Sequence, residues 1–167
     1  MLKISMGVHP ESYDGRFFKP VSPDLAIFVL MICCSAMQEN RPEFAHGNET
    51  VLIIEDEEII LNLAKDILEK YGYTVLTAED GQKGIDEYVK NKDTIDLILL
   101  DLTMPEMSGQ MVFEEMLKID PKIRVIISSG HSDEETRKGI LSLAKGYVKK
   151  PYKMNELTQA VRAVLDS

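Results

Sequence analysis

The 167 residues carry 28 acidic and 19 basic side chains, a net charge of −9, with 44% hydrophobic and 28% charged residues. That balance belongs to a folded globular chain, of a length that suits one ordinary domain with some excess. The acidic surface disfavours direct contact with nucleic-acid phosphates. The two cysteines, Cys33 and Cys34, are adjacent and offer neither a disulfide framework nor zinc-like spacing, so a reducing, cytoplasmic setting is expected.

Residues 1–49 read as an irregular extension or linker. Their first part, MLKISMGVHPESYDGRFFKPVSPD, mixes Gly, Pro, Ser and charge with no helical or strand period. The apolar run Leu25 to Met37 that follows is too short for a bilayer-spanning helix, which needs roughly 17–25 apolar residues. Three readings of it stay open: an extension without order of its own, a helix docking on a partner, and a membrane-directed segment. The first is preferred, and no membrane association is expected. QENRPEFAHGNET then reads as a linker.

From Val51 the pattern becomes regular, and residues 50–167 read as one domain. Apolar strands are expected at Val51–Ile54, Tyr73–Thr77, Ile95–Leu100, Arg124–Ser128 and Gly146–Lys149. Between them lie helical spacings. Ile60, Leu63, Ala64, Ile67, Leu68 and Tyr71 form one face of the first helix, and Asp80-Gly81 opens the second. Val112, Met116 and Leu117 mark the third, which Pro121 stops. Ser132 with Glu135 makes a capping-box signature for a fourth, and Leu157, Val161, Val164 and Leu165 mark the fifth. Five strands alternating with five helices predict a doubly wound α/β domain around a parallel sheet, with helices on both faces.

The strand ends carry the chemistry. VLIIEDE ends on Glu55 and Asp56, LILLD on Asp101, VIISSG on Ser128 and Ser129, and GYVKKP on Lys149, Lys150 and Pro151. Parallel strands bring all C-terminal ends to one edge, where open α/β sheets place their ligands. Three carboxylates there need a counter-charge. Hard oxygen donors favour Mg²⁺, and a lysine can supply the rest. A carboxylate held rigidly at a buried strand end can attack phosphorus and form an acyl phosphate, with cations and a hydroxyl stabilising the transferring group.

Glu55-Asp56, Asp101 followed by LTMPEMSG, Ser129-Gly130 and Lys150-Pro151 resemble the receiver (response-regulator) domains of two-component and phosphorelay signalling, over Glu49 to Ser167. The resemblance implies a flavodoxin-like fold with strand order 2-1-3-4-5. It implies that Asp101 is the phosphoacceptor, served by a histidine kinase or histidine phosphotransfer protein. It implies that Glu55, Asp56, Asp101 and the backbone carbonyl of Thr103 hold Mg²⁺. Lys150 would pair with a phosphoryl oxygen, ahead of a Lys-Pro step that the family usually makes in cis. Ser129 and Tyr147 would form the switch, moving a docking surface for an unidentified downstream protein. Pro105 and Gly109 match the turn after the acceptor strand, the glycine relieving strain at the third helix.

Only Lys150, not Lys149, precedes proline. Alternation puts Ser128 and Ser129 on opposite faces, and the family spacing favours Ser129. Tyr147 competes with a plain half-buried strand aromatic. His131 reads as a solvated loop histidine, at a position that by resemblance can tune dephosphorylation. Met104 and Met107 read as loop packing. Glu55 stands where aspartate is most common, and Leu143-Ala144 where a glycine commonly ends the fourth helix, in a segment about one residue short of the pattern. An aspartyl-phosphate phosphatase would want an acid at position 103, which is threonine. A flavin carrier would want a Gly-rich phosphate loop after the first strand, where four acids stand instead. Two alternatives remain: a phosphate-independent binding module on the same scaffold, and a receiver excised from a hybrid histidine kinase. No output domain is expected after the fifth helix.

Overall fold

The structure is a computed structural model, and it describes residues 46–130 and 138–167. These form strands β1 (Thr50–Ile54), β2 (Thr74–Ala78), β3 (Leu97–Asp101), β4 (Val125–Ser129) and β5 (Gly146–Lys149). The helices are α1 (Glu58–Lys70), α2 (Gly81–Asn91), α3 (Gly109–Ile119) and α4 (Met154–Leu165), with a short 3-10 helix at Gly139–Leu143. All five strands are parallel, in the order β2-β1-β3-β4-β5. This is the doubly wound architecture that the alternation and the resemblance predict.

The near-continuous aliphatic strands follow from burial on both faces. Val51, Ile53, Leu97, Leu99, Ile126 and Val148 pack with Ala64, Ile67 and Leu68 of α1 and Leu157, Val161 and Val164 of α4. The alternate residues Leu52, Ile54, Ile98, Leu100, Val125 and Ile127 pack with Tyr88 of α2 and Val112, Phe113 and Met116 of α3. A shift of one residue in any strand would exchange these two faces, so burial pins the register. Two helices start on side-chain caps: Asp80 accepts from the Lys83 N–H at 2.7 Å, and Ser108 from that of Met111 at 3.4 Å. At the other end of α3, Asp120 is extended because Pro121 crowds an α conformation at the preceding residue.

Two details differ from the sequence-based expectation. The second, third and fourth strands run on to Ala78, Asp101 and Ser129, and begin at Thr74, Leu97 and Val125. Ile95 is held instead by the turn closing α2, its N–H bonded to the Asn91 carbonyl. The ladders thus keep the polar strand ends in register, with Asp101 opposite Ser128 and Ser129 opposite Lys149. The expected fourth helix falls partly on residues outside those described, including His131, Ser132 and Glu135. Its described end, Gly139–Leu143, is a 3-10 helix with Gly139 at φ +61°. Among the described residues no helix is long and apolar enough to cross a membrane.

Candidate functional site

Register and side-chain alternation build the site. Val51, Ile53 and Glu55 share a sheet face with Leu97, Leu99 and Asp101, and with Ile126 and Ser128. At the C-terminal edge of the strands, where α1 and α4 begin, this face turns from aliphatic to acidic in one step. Glu55 lies one residue past the Ile54–Leu100 pair, which sets it opposite Asp101. Asp101 is 3% exposed and Glu55 2% exposed. Asp56 next to Glu55 is exposed. One ligand oxygen from each of Glu55, Asp56 and Asp101 falls within 4.8 Å of the others.

Lys150 supplies the counter-charge. Its Nζ is 2.6 Å from Glu55 Oε2 and 2.9 Å from Asp101 Oδ1. Burial raises the Glu55 carboxyl above its ordinary value; the Lys150 ammonium opposes that shift and the Asp101 charge adds to it. A cleft of about 250 Å³ opens here, lined by Glu55, Asp56, Asp101, Thr103, Gly130 and Lys150 among others. Two nearly buried carboxylates, a third acid at the rim and the exposed Thr103 segment are a hard-oxygen donor set, which fits a divalent cation such as Mg²⁺.

The remaining candidates are placed around this cleft. Lys149 is exposed, whereas Lys150 reaches both acids; the Lys150–Pro151 peptide is cis. Ser129 is 6% exposed on the α2/α3 face of β4, opposite to Ser128. The Tyr147 hydroxyl donates to the Leu141 carbonyl in the 3-10 helix, so the ring is half-buried and tied to that segment. Met104 is buried in the α2/α3 core, and Met107 packs against that core.

Gly109 has a different reason from the one expected. Its φ is not positive; a Cβ there would collide with the Asp101 carbonyl oxygen and come within 2.8 Å of Leu102 Cα. Helix α3 starts in contact with the backbone at the end of β3, and its first N–H bonds the Leu102 carbonyl at 3.1 Å. Close approach, not backbone strain, requires the glycine.

Sequence reasoning missed one pair at the site. Ser128 is fully buried, and its hydroxyl lies 2.7 Å from that of Tyr152, two residues beyond Lys150. Strand alternation already set Ser128 on the acid-bearing face. No local signal tied it to a tyrosine 24 residues away.

The comparisons agree with this geometry. Residues 51–162 match the family model of the response regulator receiver domain. The chemotaxis protein CheY of Treponema pallidum (strain Nichols) is 33% identical over 117 residues, 69% of this chain and 81% of that protein. The sensor kinase CckA of Brucella abortus (strain 2308) is 30% identical over 135 residues, 78% of this chain but 14% of that protein. A chain of the CheX–CheY–BeF3–Mg²⁺ complex from Borrelia burgdorferi superposes with TM-score 0.66 at 30% identity, covering 70% of this chain and 88% of that one. With the five-stranded order, the acids at the strand ends and the matching family model, the chain belongs to the receiver domains of two-component, phosphorylation-based signalling.

Proposed function

We propose that residues 50–167 act as an aspartyl phosphoacceptor, charged by a histidine kinase or histidine phosphotransfer protein and read by a downstream protein. The supporting observation is a nearly buried carboxylate, Asp101, with a lysine ammonium at 2.9 Å and two further acids beside it. In the transfer, an Asp101 carboxylate oxygen forms a bond to phosphorus while the P–N bond to the partner's imidazole breaks, and the imidazole keeps that electron pair. Asp101 is anchored on a central strand of the sheet, which holds its oxygen for in-line attack. Lys150 stabilises charge on the transferring phosphoryl oxygens, and Ser129 donates its hydroxyl to one of them.

Glu55, Asp56, Asp101 and the Thr103 carbonyl would hold Mg²⁺. Bound there, the ion neutralises phosphoryl charge that the three carboxylates would otherwise repel. Ser129 drawn toward the phosphoryl group, with Tyr147 released from its bond to Leu141, would change the surface formed by the 3-10 segment, β5 and α4. The complete set of acids, hydroxyl and lysine favours this reading over a phosphate-independent docking module. The match to a fraction of a sensor kinase supports a variant in which the same chemistry serves a hybrid kinase. A cytoplasmic site of action belongs to the proposal.

Intact mass after incubation with Mg²⁺ and acetyl phosphate tests it. Wild type gains one phosphoryl group, EDTA abolishes the gain and Asp101→Asn shows none. No gain in wild type would favour the docking module.

A further inference from the structure

A hydrogen-bonded pair lies beneath the acid cluster that the phosphoacceptor chemistry does not use. Ser128 stands in register between Asp101 on one side and Val148 on the other. Its hydroxyl meets the Tyr152 hydroxyl at 2.7 Å, with Ser128 fully buried and Tyr152 8% exposed. The Tyr152 ring packs in the α1/α4 core with Val148 and Leu157.

The backbone around Lys150 explains what the pair can do. The β4–β5 ladder closes with the Lys150 N–H on the Ser129 carbonyl at 3.0 Å. Pro151 follows and has no N–H to give. Helix α4 begins only at Met154. The segment between ladder and helix is therefore tied to the sheet through the Tyr152 side chain. The lysine whose ammonium contacts both buried acids stands at the start of this segment. Burial, opposed by the Ser128 bond and reinforced by Glu55 and Asp101, holds the Tyr152 phenol above its usual value, so it remains a neutral hydrogen-bonding group.

We propose that Ser128 and Tyr152 are positioning residues: their bond pins the Lys150–Pro151 bend to the end of β4 and so places the Lys150 ammonium between Glu55 and Asp101. This rests on the reading of Asp101 as phosphoacceptor. Neither hydroxyl touches the transferred group; both act through Lys150.

Four proteins separate positioning from simple stability: wild type, Ser128→Ala, Tyr152→Phe and the double variant. Urea unfolding and the rate of phosphorylation by acetyl phosphate in Mg²⁺ are measured on each. Each single variant leaves one buried hydroxyl without its partner and loses stability, whereas the double variant, with both removed, recovers most of it. If the pair positions Lys150, the double variant nonetheless stays roughly tenfold slower to phosphorylate, since small misplacements of a catalytic group are costly. In a Lys150→Met background, Tyr152→Phe then changes the rate no further. A double variant phosphorylated at the wild-type rate overturns the proposal. So does a Tyr152→Phe effect of equal size in the Lys150→Met background. Should the double variant not fold, Tyr152→Phe assayed below its unfolding midpoint decides by the same two criteria. If wild type itself takes up no phosphoryl group, the phosphoacceptor reading falls and this proposal with it.

Discussion

Replacing Lys150 with methionine removes the ammonium that stands between two nearly buried carboxylates. At its distances of 2.6 and 2.9 Å the two attractions amount to about 6 kcal/mol apiece at an effective dielectric of about 20. Most of that is offset, because the variant no longer desolvates an ammonium and methionine fills the stem's place. What remains is the cost of leaving buried charge uncompensated, about 3 kcal/mol, or a urea midpoint lower by roughly 1–2 M. The deficit depends on pH in a definite direction. Burial already raises Glu55 in the wild type, with Lys150 opposing. Without Lys150, burial and the Asp101 charge are opposed only by the Glu57 N–H that donates to the Glu55 carboxylate, so the carboxyl rises further and the folded variant binds a proton at a pH where the unfolded chain does not. A raised carboxyl gains stability as pH falls toward its unfolded value, so the deficit of Lys150→Met is largest near pH ~7 and shrinks by pH ~5. If the same acids hold Mg²⁺ as proposed, the ion also shrinks it, by mass action on the folded state. Urea titrations of both proteins at the two pH values, with and without Mg²⁺, check this. Equal midpoints near neutrality, or a deficit indifferent to both pH and Mg²⁺, would refute the reasoning.

Two further outcomes follow from other parts of the fold. Arg162 of α4 pairs with Glu49 just before β1 at 2.7 Å, and its hydrogen bond holds the Glu49 carboxyl below the usual range. A depressed carboxyl contributes stability above its unfolded value that is lost as pH falls through the folded one. Glu49→Gln should therefore cost about 1 kcal/mol at neutral pH and nothing once the wild-type acid is protonated, measured by urea unfolding at the two extremes. Gly109→Ala puts a methyl group against the Asp101 carbonyl and should cost about 1–3 kcal/mol by overpacking. Because α3 is pushed from the end of β3, the affinity of the proposed metal site for Mg²⁺ should drop as well, and calorimetry would detect it. A thermally neutral alanine would contradict the close approach.

Much of the molecule was legible in the chain because two periodicities rarely conflict. Residues such as Leu97 to Leu100, buried on both sides, read as a parallel strand, and Ile67 and Leu68 as a helix face. Asp101 and Lys150 stood out because strand ends share one edge of a parallel sheet. Other features depend on the fold's depth rather than on sequence neighbours. Glu55 shares the Lys150 ammonium with Asp101 because register sets the two acids opposite each other, which no local pattern announces. Ser128 finds Tyr152 only after β5 has been laid beside β4. Gly109 looked like a strain-relieving turn residue, yet the constraint is a carbonyl eight residues earlier. Gly139–Leu143 lacks a strong apolar period of its own and settles as a 3-10 turn held by Tyr147.

The central claim is that Asp101 carries the phosphoryl group, and borohydride trapping tests it most directly. Borohydride reduces an aspartyl acyl phosphate to homoserine, with loss of phosphate, and leaves free carboxylates untouched. The protein is phosphorylated with acetyl phosphate in Mg²⁺, reduced, digested and sequenced by mass. The account predicts homoserine at position 101, absent when EDTA is added. Homoserine at Glu55's neighbour Asp56 or at any other aspartate, with position 101 unmodified, would contradict it.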